Sequence, residues 1–212
     1  MPTFLILAVV PMAIILLMRA LKLDPFTGSR GSRLTEIGRE ALGPQPDRIH
    51  LSRMAPHAWK NAEAARRLAE PLLFMGFDDV GTFGIAEIPG ITVRMMVKGE
   101  AKMYATIYEH PRAEPWLDLI THYEGGAKVT FTTLEDPGLP VRPGHTIVRG
   151  IGCDALALCD RALEERPKSG IREIGGDEVV PMLEHDYAEW RDWMNAAAAS
   201  GIETGKQSRK AA

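Results

Sequence analysis

Tyr108, His110, Asp118 and His122 are the residues of this chain best suited by type and spacing to acid–base chemistry. An imidazole changes charge between about pH 5 and 8, and small changes in its surroundings move it across neutrality. Two imidazoles, an aspartate and a phenol brought together form a general acid–base set. Arg94 and Tyr104 add a cation and a second phenol, so that Arg94, Tyr104, Tyr108, His110 and His122 make a candidate ligand-binding group. The catalytic use demands that the side chains converge in a concave site that excludes water, whereas a scaffold needs only an open surface.

These residues lie in a run of strand-like segments. Residues 82–87, 91–98, 102–109, 116–123 and 128–134 are short and rich in β-branched and aromatic side chains. Their connectors are short, which implies antiparallel neighbours, because a parallel return needs a dozen residues or more. The clearest hairpin is His122 to Lys128, where Gly125 and Gly126 supply positive φ. Residues 146–149 read as a further edge strand.

Alternation divides the strands into two faces. Ile91, Val93, Met95 and Val97 fall with Met103, Ala105, Ile107, Leu117, Leu119, Val129 and Phe131 on an expected inner face. The other face then carries Thr92, Arg94, Met96 and Lys98, followed by Tyr104, Thr106, Tyr108 and His110. Asp118, Ile120, His122, Lys128, Thr130 and Thr132 complete it. A pairing of Tyr108 near Asp118 or Ile120 brings His110 and His122 within reach of each other. The ordinary alternative is a solvated face, since a one-sided antiparallel sheet shows polar groups to water and Thr and Tyr favour strands for their own reasons.

Helices must cover the inner face. Residues 54–75 carry a stripe of Ala58, Ala62, Ala65, Leu68, Leu72 and Met75, with Pro71 expected to kink or shorten the last turn. Residues 153–165 and 181–199 read as two more helices, the last with Val180, Leu183, Tyr187, Trp190 and Met194 as its stripe. On that spacing Glu184, His185 and Asp186 face water. Asp136 to Gly152 is broken by prolines and glycines.

Other motifs are missing. There is no Gly-rich phosphate loop, no G-x-S-x-G and no H-E-x-x-H, and no metal site or cofactor is expected. Cys153 and Cys159 match neither a redox pair nor a zinc pattern and read as small hydrophobes. The net charge of −3 gives no reason to expect nucleic acid.

The N-terminus speaks of location. Residues 3–18 are an unbroken apolar run closed by Arg19 and Lys22, close to the roughly 20 residues that span a bilayer. No basic residue precedes the run and no small-residue cleavage site follows it, which argues for an anchor over a cleaved signal. The excess of Lys and Arg between Arg19 and Arg53 places the following domain in the cytoplasm, against the inner membrane of a bacterial-type cell.

The expected fold is therefore α+β: an N-terminal transmembrane helix, then a soluble domain with a four- to five-stranded antiparallel sheet covered on one face by helices. The expected division is 1–23 anchor, 24–53 juxtamembrane linker, 54–199 domain and 200–212 disordered tail. The bilayer, through residues 3–23, and another membrane protein are the expected partners. The leading function is a non-catalytic binding or scaffold domain. The runner-up is a small membrane-tethered hydrolase or ligand-binding enzyme using His110, His122, Tyr108 and Asp118.

Overall fold

The computed structural model describes residues 45–55 and 59–199. In chain order these form β1 (Leu51–Arg53), α1 (Ala62–Phe74), β2 (Asp78–Ile85), β3 (Thr92–Lys98), β4 (Met103–His110), β5 (Ala113–His122), β6 (Lys128–Thr132), β7 (His145–Arg149), α2 (Ala155–Glu165) and α3 (Val179–Ala199). The strands make one seven-stranded sheet in the order β1-β2-β3-β4-β5-β6-β7. Every neighbouring pair is antiparallel except β6 and β7, which run parallel. The antiparallel-rich α+β character expected from the connectors is present.

Three features of the expected fold are corrected. The sheet has seven strands rather than four or five. Leu51–Arg53, which composition places in the linker, pairs with Phe83–Ile85, and three residues are too few to show a period. His145–Arg149 joins β6 in parallel, which the connection 133–144 is long enough to allow. Second, helices pack on both faces of the sheet. Third, no described helix is long and apolar enough to cross a membrane, and the anchor expected at residues 1–23 lies outside the described residues.

The two faces follow from the register of β3 and β4. Val97 lies opposite Tyr104, Met95 opposite Thr106 and Val93 opposite Tyr108. Directly opposed residues share a face, so the apolar row of β3 sits with the tyrosines, and the expected phase of this strand is inverted. Met96, Met103, Ala105, Ile107, Leu117, Leu119 and Phe131 form the other core, with Ala69 and Leu72 of α1 and Leu158, Cys159 and Ala162 of α2. Val93, Met95, Val97, Tyr104 and Ile120 pack with Val179 and Met182 of α3. Val93, Met95 and Met96 are all fully buried, so β3 is apolar on both sides and alternation carries no phase. Full burial of Ile107, Leu117 and Leu119 contributes roughly 1.5–3 kcal/mol each.

α1 begins at Ala62, later than its apolar stripe suggests. Asn61 is its N-cap, with Oδ1 accepting from the Ala64 N–H at 3.1 Å. The buried Glu109 carboxylate of β4 accepts from the Lys60 N–H at 2.5 Å, which places negative charge at the positive end of the helix. Pro71 is accommodated and the helix runs on to Phe74. α2 is capped by Asp154, whose Oδ1 accepts from the Ala157 N–H at 2.8 Å.

Candidate functional site

The side of the sheet under α3 is where polar groups converge. The β5–β6 hairpin pairs His122 with Lys128, and positive φ at Gly125 and Gly126 closes its turn. This puts an imidazole and an ammonium side by side. The neighbouring strand adds Tyr104, opposite Ile120. α3 then lays Val179, Met182 and Asp186 on this surface at helical spacing, all buried.

Asp186 Oδ2 is the hub of the cluster. Lys128 Nζ donates to it at 2.7 Å, the Tyr104 hydroxyl at 3.4 Å, and His122 Nε2 stands 3.2 Å away. The rings of Tyr104 and His122 stack with centroids 5.9 Å apart. Burial alone pushes the Asp186 carboxyl up, but the His122 hydrogen bond and the Lys128 charge outweigh it and hold the group at about 2. Burial, followed by the Asp186 charge, drives the Tyr104 phenol well above its ordinary value. The cluster is a satisfied ionic network locking α3 to β4, β5 and β6.

Beside it lies a cavity. The connection 133–144 crosses the same face and is tied to α3 at two points: Trp190 Nε1 donates to the Pro140 carbonyl at 3.2 Å, and Arg142 pairs with Glu189 at 2.7 Å. Between this strap, the sheet and α3 is a space of about 300 Å³. Leu139, Val141, Leu183 and Trp190 give it an apolar wall, while Asp118, Lys128, His145, Arg149 and Asp186 line its polar part. Its volume is at the lower end of the range for ligand pockets, roughly 300–1,000 Å³.

The polar lining is differentiated. Asp118 is half-buried and accepts from the Thr132 hydroxyl. Burial raises its carboxyl to about 6, against the opposing Thr132 hydrogen bond and the Lys128 and Arg149 charges. His145 Nε2 lies 2.9 Å from the Thr130 hydroxyl oxygen, and burial, with the Lys128 charge, lowers its imidazole to about 3. His145 is therefore neutral at physiological pH. Thr106, opposite Asp118 in the register, has a fully buried hydroxyl without a hydrogen-bond partner among the described residues.

A larger space of about 520 Å³ opens at the end of the sheet between Leu68, Trp116, Leu134 and Cys153. Its charged lining is Arg112, Glu114 and Glu135, and it gathers no comparable set of rings, hydroxyls and carboxylates. Chemistry rather than size singles out the cavity under α3. No group of three or more His, Cys, Asp and Glu among the described residues is arranged to hold a metal ion.

The expected site residues separate. Tyr108 pairs with Trp116, not with Asp118 or Ile120. His110 faces Ala113 at one end of β5 and His122 closes the other, nine residues on, so about 30 Å divides them. His110 Nδ1 accepts from the Arg112 N–H at 3.2 Å on the surface. Arg94 is opposite Ile107, on the α1 and α2 side of the sheet, and pairs with Asp79 at 2.8 Å. Tyr104 and His122 do come together, in the Asp186 cluster, while Tyr108 and Asp118 reach the cavity.

Asp186, His145 and the strap residues are what spacing missed. Asp186 falls at the buried stripe of Val179 and Met182, seven and four residues on, and an acid at such a position was the available signal. Of its neighbours, His185 is exposed as expected, whereas Glu184 is half-buried against the β1 edge, where Oε1 accepts from the Leu51 N–H at 2.6 Å.

No protein-family model, curated protein or solved structure matches this chain.

Proposed function

We propose that this domain binds a small molecule without transforming it, in the cavity between the sheet, α3 and the 133–144 strap. The observation that carries this reading is the cavity itself: an apolar wall facing a small number of polar groups, two of them with strongly displaced proton affinities. Non-catalytic binding is favoured because the ring and ammonium groups best suited to acid–base work are bonded to one another through Asp186. The hydrolase alternative loses support from the separation of His110 and His122.

The test is a titration of the full chain with hexanol as a minimal amphiphile, followed by methyl NMR. The expected result is shifts at Leu139, Val141, Ile147 and Leu183, abolished by the cavity-filling substitution Ile147→Trp. Shifts scattered over the molecule, or confined to Leu68 in the other cavity, would refute the assignment.

A further inference from the structure

We propose that the cavity under α3 selects a ligand with a cationic head and an apolar tail, and that Asp118 is the group that receives the head. This rests on the cavity being the binding site, as argued above.

Charge accounting within the lining points to a cation. Lys128 is committed to Asp186 at 2.7 Å. Arg149 is committed to Asp136 at 2.9 Å and to the Leu134 carbonyl at 3.1 Å. His145 is neutral. Asp118 is the lining acid left over: it accepts from the Thr132 hydroxyl and forms no ion pair among the described residues. Lys128 and Arg149 each have a carboxylate partner, in Asp186 and Asp136, so that Asp118 is the lining carboxylate without a counter-charge of its own among the described residues. An anionic head would find both nearby cations already paired and would face an uncompensated carboxylate. A cation arriving at Asp118 meets a carboxylate that burial disfavours and that forms no ion pair among the described residues.

The walls fit the same ligand. Tyr108, Tyr187 and Trp190 all line the cavity, and aromatic rings attract cations. Leu139, Val141 and Leu183 receive the tail.

Calorimetric titration of the full chain at about pH 8 with hexylammonium, hexanol and hexanoate separates the head group from the tail. Hexylammonium is expected to bind at least about tenfold more tightly than hexanol, with hexanoate weakest. Asp118→Asn is expected to erase the advantage of hexylammonium while keeping hexanol binding. The comparison of the three heads on the unmodified protein stands whether or not the variant folds. Equal or tighter binding of hexanoate, or hexanol binding with no gain for hexylammonium, overturns the head-group assignment and leaves the cavity in place. Binding by none of the three overturns both.

Discussion

Replacing Asp118 with asparagine should stabilise the protein at alkaline pH and do nothing at acid pH. An aspartate ordinarily titrates at 3.8, and burial lifts this one to about 6. At about 1.4 kcal/mol per pH unit, that difference costs the folded state about 3 kcal/mol when the carboxylate is ionised. The sign follows from proton binding. Below pH 3.8 both folded and unfolded chains hold the proton and there is no cost. Between 3.8 and about 6 the unfolded chain ionises first, so stability falls as pH rises, and above 6 the full cost is present. Asparagine carries no charge and keeps an oxygen to accept from the Thr132 hydroxyl. His145 and Asp186 are common to both proteins, so their titrations cancel in the difference. Urea unfolding from pH 4 to 8 should show Asp118→Asn gaining up to about 3 kcal/mol over the parent at pH 8 and converging with it near pH 4. A gain that does not vary with pH, or a loss at pH 8, would show that burial does not control this carboxyl. The costly carboxylate belongs to the cavity lining, which is the pattern expected where a binding group is held against stability.

Two further outcomes follow from the same geometry. Asp186→Asn leaves the Lys128 ammonium buried without a counter-charge and should cost about 3–5 kcal/mol in urea unfolding, because breaking one side of a buried pair strands the other. The stabilisation from Asp186 is present above pH 3.8 and is lost as pH falls through about 2, so the variant should lose its deficit only in strong acid. Cys159 is fully buried and its thiol is pushed up by burial, whereas Cys153 is half-buried and lines the 520 Å³ space. Alkylation of the native protein, read by peptide mapping, should therefore label Cys153 first, and equal labelling of both would contradict the packing of α2.

The local pattern of residues decides a good part of this fold. Strand segments along β2 to β6, the glycine turn between His122 and Lys128, the amphipathic stripe of α1 and the presence of α2 are all legible, because each depends on neighbours in the chain: φ preferences, caps and a period of two or three to four residues. What pattern could not decide is which face of β3 is which, since Val93, Met95 and Met96 are buried on both sides. With that phase open, alternation alone puts Arg94 with Tyr104, whereas the register places them on opposite faces. The site is a property of tertiary structure for the same reason. Asp118 takes its proton affinity from burial under a strap and a helix, and Asp186 acquires Lys128 and His122 only when α3 docks, 58 residues from one partner. Local sequence sets the elements. The contacts that shape the cavity and its charges span long separations, so only the packed molecule decides them.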